Sequence, residues 1–339
     1  MKHRETLLPT AANNHLINQI MKLYPLTFQP VLKEKIWGGT KLKALFDKGE
    51  DPEAPVGESW EIADLDEGQS IVKDGELAGK TLQEVIHLDP KGILGASVHE
   101  RFGNRFPLLI KFIDAAKDLS IQVHPSDETS PTGTGKTEMW YIMQADPGAE
   151  LTVGFKEKIT KEAFAKNIEE LQVEEAMDTH VVKPGDSFFI NAGRIHAIGG
   201  GVLLAEIQQT SDVTYRVYDY NRPDADGNLR DLHIQESLDV LDFEPTQDFK
   251  LDYDDVENAT QILKHHTYFK TDWLHLINDD YRVNRSISFT ILIAVDGEMQ
   301  YTFNNEVKTL KVGQTLLIPA GCEEVTIDAK DCTLLEVHL

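Results

Sequence analysis

Two twelve-residue segments of the chain follow one pattern. They are VKPGDSFFINAG at 182–193 and LKVGQTLLIPAG at 310–321, and they share a lysine, a glycine, a hydroxyl residue, an apolar pair, an isoleucine and Ala-Gly in the same register. A strand-and-turn pattern that recurs far along a chain predicts two β units of the same architecture. The third residue after the pattern is His196 in the first copy and Glu324 in the second. A site that needs this histidine is therefore expected in the first unit only.

Short apolar runs bounded by glycine, proline or polar residues predict strands through most of the chain. These runs lie at 24–28, 57–64, 108–113, 119–124, 138–144 and 187–190. They indicate a mainly β protein.

Helical spacing is confined to three regions. It predicts a small helical insertion at 80–102, with Thr81 as an N-cap, and a weak helix at 232–241. Residues 160–176 have the spacing of an amphipathic helix, on which Leu171 is expected to lie on the buried stripe.

We expect two β units. The first covers residues 21–245 and includes the helical insertion, and the second covers 246–339 and binds no metal. Residues 224–260, which are acidic and polar, are expected to connect the units. Residues 1–20 precede the first strand-like run and are expected to lie outside the fold.

The charge balance limits the partners of the protein. The net charge of -24 comes from 57 acidic and 33 basic residues. Nucleic acids and anionic membranes both require a basic face, so neither is expected as a partner. An anionic substrate would need a local cluster of positive charge.

Cysteine usage and hydropathy indicate the compartment. The two cysteines, Cys322 and Cys332, form neither a CxxC pair nor a disulfide framework, which is typical of a reducing compartment. No apolar run has the length of a membrane span, and the first twenty residues lack the apolar segment of a signal peptide. We therefore expect a cytoplasmic protein.

Four residues have the chemistry of a metal site. Gln122 and His124 lie two positions apart in one predicted strand, so they point to the same face. Glu138 begins the next strand and would lie beside them if the two strands pair across the intervening turn. His196 follows a later predicted strand. Two imidazoles, a carboxylate and an amide oxygen would bind a divalent cation and leave room for water or substrate.

Each of these residues also has an ordinary structural explanation. A lone histidine in a β protein more often satisfies hydrogen bonds than binds a metal, and glutamine is an uncommon ligand. Only the combination favours a metal site. Spacing does not distinguish Zn²⁺ from Fe²⁺, because two histidines and a carboxylate on a β scaffold also describe an iron-dependent oxygenase.

Basic residues near these positions are candidates for contact with an anionic substrate. Lys136, in GTGKTE, is either a solvated turn lysine or a contact to a phosphate or oxyanion. Arg216, in SDVTYRVYDY, is either a surface residue stacked among aromatics or a fixed cation for a developing enolate. Weaker candidates, placed near the ligands by sequence alone, are Arg194, Lys111 and Ser120.

Six motifs occur in order along the chain: KIWGG at 35–39, GESWEIAD at 57–64, LSIQVHP at 119–125, GKTEMWYI at 135–142, PGDSFFINAGRIHAIG at 184–199 and TSDVTYRVYDYNR at 210–222. Together they resemble the type I phosphomannose isomerases, also called mannose-6-phosphate isomerases. The similarity extends from about residue 21 to the end of the chain. The small helical insertion is similar to that of the short bacterial members.

The resemblance implies a zinc enzyme that interconverts mannose 6-phosphate and fructose 6-phosphate. The implied fold is a cupin, a double-stranded β-helix or jelly roll, followed by a second cupin-like unit. Carried over by position, the ligands of one Zn²⁺ per chain are Gln122, His124, Glu138 and His196. Arg216 becomes the active-site arginine, and the residues expected to contact substrate are Lys136, Ser120 and Trp37, with Lys136 also catalytic.

The implied chemistry moves a proton between C2 and C1 through an enediolate that zinc and Arg216 stabilise. The base stays open among a zinc-bound water, Glu138, Glu58 and Glu206, and a hydride shift without a base is also conceivable. A sugar-binding cupin that has lost catalysis is a further alternative. We expect a monomer or a homodimer.

Overall fold

The computed structural model describes residues 22–224, 226–245, 247–283 and 287–339. The predicted extension at 1–20 lies outside the described residues. In chain order, the strands are β1 (Phe28–Gln29), β2 (Val31–Gly39), β3 (Val56–Ile62), β4 (Asp64–Leu65), β5 (Gly68–Gln69), β6 (Ile71–Val72), β7 (Leu108–Ala115), β8 (Ile121–Val123), β9 (Glu138–Ala145), β10 (Glu150–Phe155), β11 (Met177–Val181), β12 (Ser187–Ile190), β13 (His196–Ile198), β14 (Val202–Gln209), β15 (Tyr215–Tyr218), β16 (Lys250–Leu251), β17 (Gln261–His265), β18 (Lys270–Val283), β19 (Thr290–Phe303), β20 (Glu306–Lys311), β21 (Thr315–Ile318) and β22 (Val325–His338). The α-helices are α1 (Lys41–Phe46), α2 (Leu82–Leu88), α3 (Pro90–Leu94), α4 (Ala96–Phe102), α5 (Lys161–Glu169) and α6 (Ile234–Val240).

A seven-stranded antiparallel sheet forms the central layer, in the order β16-β12-β9-β14-β7-β2-β3. Strands β7 and β14 are buried along all eight residues, because both faces of this sheet are covered. Side chains alternate between the faces: Phe112 packs into one apolar cluster, and its neighbour Ile113 packs into another.

The two faces of the central sheet are covered differently. A five-stranded sheet, in the order β11-β10-β13-β8-β15, covers one face through residues such as Leu151 and Ile198. The opposite face packs on the helical insertion, through residues such as Val85, and on a six-stranded sheet of β17–β22, through residues such as Val337. The cavity and candidate ligands described below lie between the first two sheets.

The repeated segments adopt the same local structure. Gly185 and Gly313 occupy the same place in the two turns and have φ of 89° and 77°, a region that favours glycine. Each of these amides donates a 2.9 Å hydrogen bond to a strand carbonyl, that of Ile142 in the first copy and that of Ala294 in the second. The turns lead into β12 and β21, so the sequence repeat is also a structural repeat.

The helices differ in extent from the predictions. The insertion contains three short helices, and Thr81 forms a capping box with Glu84 at the start of α2. Helix α5 ends at Glu169, before the predicted end at residue 176. Leu171 has a φ of 59° and is exposed, so its predicted place on the buried stripe is wrong.

At both ends of the predicted first unit, the described chain makes backbone contacts across the predicted boundary between the two β units. Strand β16, beyond residue 245, pairs with β12 of the central sheet. Leu26 and Leu317 exchange backbone hydrogen bonds of 2.7 and 2.9 Å, which attaches the start of the described chain to the second unit. The division at 245/246 stays a prediction.

Among the described residues, no helix combines the length and apolar character needed to cross a bilayer.

Candidate metal centre and substrate cavity

The predicted ligands come from two facing sheets, the central seven-stranded sheet and the five-stranded sheet. Gln122 lies on β8 and His124 follows that strand directly, while His196 begins β13, opposite Gln122. Glu138 begins β9 in the central sheet. The sequence left open whether the 119–124 and 138–144 strands pair across the turn, and they do not: β8 pairs with β13 and β15, while β9 pairs with β12 and β14. The loop between them crosses from one sheet to the other and brings Glu138 to face the other three residues.

The side-chain atoms of this group converge. The Nε2 atoms of His124 and His196 are each 3.4 Å from a carboxylate oxygen of Glu138. The Gln122 amide nitrogen lies 3.3 Å from Nε2 of His196, and a half turn of the amide would place its oxygen there instead. All three ionisable residues are almost completely buried.

Both imidazoles are held in one tautomer. Nδ1 of His124 lies 3.0 Å from the carbonyl oxygen of Val213, and Nδ1 of His196 lies 2.9 Å from that of Arg194. A carbonyl oxygen can only accept, so each Nδ1 carries the hydrogen, and in the neutral ring each Nε2, 3.4 Å from a Glu138 oxygen, carries a lone pair. Burial lowers the pKa of both rings, that of His196 to about 3. Neutral histidine is the form that binds metals.

The Glu138 carboxylate has unmet hydrogen-bonding capacity. Neither of its oxygens accepts a hydrogen bond from a described residue. Burial and the nearby Glu206 raise the pKa of Glu138, against the opposing effect of Lys136 and Lys111. The Lys136 ammonium lies 3.4 Å from one Glu138 oxygen and 3.1 Å from Nε2 of His124. A carboxylate with unsatisfied oxygens beside two imidazole lone pairs fits a divalent cation.

A cavity of about 300 Å³ opens beside this group. The predicted site residues that line it are Trp37, Ser120, Gln122, Lys136 and Arg216. Its cationic lining residues are Lys35, Lys111, Lys136, Arg216 and Arg230, and its carboxylates are Glu58, Glu206 and Asp212. Cations therefore outnumber carboxylates here, although the whole chain is strongly acidic. This is the local positive charge that an anionic substrate requires.

Two of the cavity carboxylates are held by buried partners. Lys111 lies 2.8 Å from Glu206, which also accepts a 2.9 Å hydrogen bond from the Trp140 indole. Burial would raise the pKa of Glu58, but the Lys111 and Lys35 ammonium groups outweigh it, and the pKa is about 2. Glu58 is therefore ionised at neutral pH.

Arg216 is fixed by its surroundings on β15. Its backbone lies opposite Gln122, and its guanidinium donates a 2.8 Å hydrogen bond to the carbonyl of Asp231. Arg194, in contrast, turns away from the cavity and donates to the carbonyl of Phe189. The interpretation of Arg194 as a candidate for substrate contact is therefore wrong, and its contribution is the backbone carbonyl behind the ring of His196.

Sequence reasoning missed Arg230 and Asp212. Arg230 reaches the cavity wall from the segment after β15 and forms an ion pair with Asp219, whose carboxylate also binds Arg222. These residues lie in irregular segments without periodicity, so no pattern places them at the cavity.

A second group of possible ligands lies in the six-stranded sheet. It consists of His265, Asp272 and His338. Nε2 of His265 and an oxygen of Asp272 are 2.7 Å apart, so these two side chains are already hydrogen-bonded to each other. We interpret this group as an ion-pair network. The expectation that the second unit binds no metal stays a prediction.

Comparisons with known proteins place this geometry in a family. Residues 25–174 match the family model described as phosphomannose isomerase type I, catalytic domain, and residues 258–339 match that of the mannose-6-phosphate isomerase cupin domain. The mannose-6-phosphate isomerase ManA of Bacillus subtilis is 37% identical over 315 residues, covering 91% of this chain and 97% of the relative. The mannose-6-phosphate isomerase of Streptococcus mutans is 34% identical, covering 93% of this chain and 98% of the relative.

Solved structures show the same similarity. A crystal structure of mannose 6-phosphate isomerase from Bacillus subtilis superimposes with a TM-score of 0.83 and 33% identity, covering 93% of this chain and 99% of that one. A phosphomannose isomerase from Salmonella typhimurium, at 18% identity and a TM-score of 0.78, shares the fold. The predicted cupin architecture is thereby confirmed, and the oxygenase alternative is set aside. The chain belongs to the type I phosphomannose isomerases, a family of aldose–ketose isomerases.

Proposed function

We propose that the chain is a zinc-dependent isomerase that interconverts mannose 6-phosphate and fructose 6-phosphate through an enediolate. The proposed ligands of one Zn²⁺ per chain are Gln122, His124, Glu138 and His196. The observation that carries the proposal is the convergence of two imidazole lone pairs and an unsatisfied buried carboxylate beside a cationic cavity. Zinc bound there would supply Lewis-acid polarisation of the sugar carbonyl.

Cations of the cavity wall would bind the substrate and balance its charge. Arg216 stays charged at any working pH, so it would stabilise negative charge as it develops on the substrate oxygen. Lys136 and Ser120 would anchor the phosphate, with Trp37 forming an adjacent wall. Binding energy from the phosphate, which does not react, would then orient the reacting carbons.

Two ionisable side chains that line the cavity, Glu58 and Glu206, are candidates for moving the proton between C2 and C1. Glu58 is ionised at neutral pH and accepts a 2.7 Å hydrogen bond from Trp60 through one oxygen. Glu206 is oriented by Lys111 and Trp140. Replacing each with glutamine and measuring exchange of the C2 hydrogen with solvent separates the two, since loss of the base abolishes exchange.

The test of the function is a coupled assay for fructose 6-phosphate formed from mannose 6-phosphate. It is run on the purified chain, after chelation, and again after addition of zinc or iron. Activity that is lost on chelation and restored by zinc supports both the reaction and the metal. A folded, zinc-loaded sample without activity would refute the proposal, and restoration by iron alone would refute the choice of metal.

A cytoplasmic location and a monomeric or homodimeric state are also proposed. Both cysteines of the chain, Cys322 and Cys332, are unpaired, which supports a reducing compartment. Cell fractionation and light scattering test these two statements.

A further inference from the structure

We infer that Tyr268, a residue of the second β unit, is a positioning residue for the loop that joins the two halves of the metal site. This loop, residues 125–137, connects His124 to Glu138 and carries Lys136. Tyr268 acts through Asp127, whose carboxylate accepts its hydroxyl hydrogen at 2.7 Å. The catalytic part of this inference rests on the proposed function, whereas its structural part does not.

The Asp127 carboxylate connects the beginning of the 125–137 loop to its end. One of its oxygens accepts hydrogen bonds from the Gly135 amide at 2.7 Å and from the Gln209 side chain at 2.9 Å, and the other accepts from Tyr268. Burial raises the pKa of Asp127, but these three hydrogen bonds together hold it below its usual value. Asp127 is therefore an ionised acceptor, and hydrogen bonds to ionised groups are stronger than neutral ones.

The two ends of the loop are packed closely enough to move together. A Cβ on Gly135 would lie 2.7 Å from the backbone nitrogen of Asp127, so only glycine fits there. The next amide, that of Lys136, donates a 3.0 Å hydrogen bond to the carbonyl of Pro125. A displacement of Asp127 is thus transmitted directly to the backbone of Lys136.

Gln209 extends the same network to the residue before Glu138. Its side-chain oxygen accepts a 3.0 Å hydrogen bond from the Thr137 amide, and its backbone amide donates to the Thr137 carbonyl at 3.2 Å. Asp127 and Gln209 together connect the beginning of the loop to the start of β9. The geometry of a ligand and of a buried cavity cation therefore depends on where Asp127 is held.

Tyr268 is held more firmly than the loop it contacts. It lies in the turn between β17 and β18, beside Phe269, which is completely buried and packs against Phe189. Arg101 of the helical insertion donates a 2.6 Å hydrogen bond to the carbonyl of the preceding Thr267. The middle of the 125–137 loop is, in contrast, exposed. The turn is the fixed partner, and the loop is the part that it orients.

A second tyrosine provides a matched control. Tyr253 donates a 2.7 Å hydrogen bond to the carbonyl of Gly185, in the turn before β12, so it makes a hydroxyl contact of the same length. None of its contacts involves the 125–137 loop within the part of the chain that the structure describes. Loss of this hydroxyl removes a hydrogen bond of the same length, to a neutral carbonyl, without releasing Asp127.

The experiment compares Tyr268→Phe with Tyr253→Phe in the full chain. Hydrogen exchange measured by mass spectrometry should become about tenfold faster at the amides of Gly135 and Lys136 in Tyr268→Phe, since loss of one hydrogen bond to an ionised group is worth about that factor or more. kcat/KM should fall about tenfold in the same variant. Tyr253→Phe should leave both quantities within twofold of the wild type.

Asp127→Asn tests the path of the effect. The substitution keeps the shape of the side chain but removes the charge of the carboxylate that accepts the hydrogen bonds. It should therefore accelerate hydrogen exchange at the loop amides, and adding Tyr268→Phe to it should change the exchange rate little more. If Tyr268→Phe does not fold, Asp127→Asn alone carries the test of the loop network. Unchanged loop exchange in Tyr268→Phe, equal effects of the two tyrosine variants, or fully additive effects of the double variant would each overturn the inference. An inactive wild type would refute the proposed function and leave the exchange comparison intact.

Discussion

Lys111→Met is expected to destabilise the fold far more than the loss of an ordinary surface lysine. The Lys111 ammonium is buried on β7 and lies 2.8 Å from the buried carboxylate of Glu206. Burial lowers the pKa of Lys111, but Glu206 and Glu58 outweigh burial and raise it. Methionine has nearly the same length, so the variant removes the charge and leaves the carboxylates without their partner.

The expected loss in the free energy of unfolding at pH 7 is about 3–5 kcal/mol, the cost of a buried charge without its partner. The pKa of Glu58 gives a second measure of this stabilisation. This pKa is about 2 in the folded chain, against the ordinary value of 4.5. At about 1.4 kcal/mol per pKa unit, this depression corresponds to about 3 kcal/mol, which Lys111 shares with Lys35 and Trp60.

The pH dependence follows from the sign of the Glu58 shift. A depressed pKa stabilises the fold above the unfolded value of 4.5, and this stabilisation is lost as the pH falls toward 2. The wild type therefore loses more stability than the variant on acidification. The difference in the free energy of unfolding between Lys111→Met and the wild type should therefore be smaller at pH 4 than at pH 7, by up to about 1 kcal/mol.

Urea unfolding followed by tryptophan fluorescence measures these quantities, because Trp60 and Trp140 report on the central sheet. Lys35→Met is the matched control: its ammonium lies 3.4 Å from Glu58, but the side chain is 34% exposed. It should cost at most about 1 kcal/mol. Two results would refute the reasoning. One is an equal loss in the free energy of unfolding in Lys111→Met and Lys35→Met, and the other is a larger difference between Lys111→Met and the wild type at pH 4 than at pH 7.

Four further variants test the site and the fold. Arg216→Ala should retain zinc and lower turnover about a hundredfold or more, since a fixed cation beside the developing charge is lost; equal losses in metal analysis and in the coupled assay would make Arg216 structural. His196→Ala should lose the metal, and stoichiometric zinc in the purified variant would exclude this residue as a ligand. Gly38→Ala should cost about 1–3 kcal/mol in urea unfolding, because its Cβ would collide with the Pro55 carbonyl, and an unchanged midpoint would contradict that packing. Thr81→Ala should cost about 1 kcal/mol through loss of the capping box, and a loss above about 3 kcal/mol would mean that Thr81 does more than cap α2.

Local patterns in the sequence predict the strands and the proximity of the candidate ligands well. Period-two alternation places Gln122 and His124 on one face, and the repeated segment leads to His196. Alternation does not reveal which sheet a strand joins, because pairing partners are distant in sequence. For this reason the sequence left open whether the strand of Glu138 pairs with that of Gln122; it does not, and the loop brings the carboxylate to the same place instead. The catalytic and ligand roles of these residues stay predictions.

Other features depend on three-dimensional packing that no local pattern records. Helical spacing continues to Leu171, but the helix ends earlier and that leucine is exposed. Arg230 reaches the cavity from an irregular segment, and its position depends on the ion pair with Asp219. The glycine pair in KIWGG is explained by close approach, since a Cβ on Gly38 would lie 2.6 Å from the amide nitrogen of Gly57.

The contact between Leu26 and Leu317 sets an order for assembly during synthesis. Because roughly 290 residues separate these two residues, a ribosome that adds about 5–20 residues per second produces Leu317 about 15–60 s after Leu26. Throughout this interval, the leucine and its backbone groups at the start of the first unit have no strand to pair with. The strands that carry the candidate ligands all precede Leu317 in the sequence, so the hydrogen bonds between Leu26 and Leu317 can form only late in synthesis, after those strands have been made.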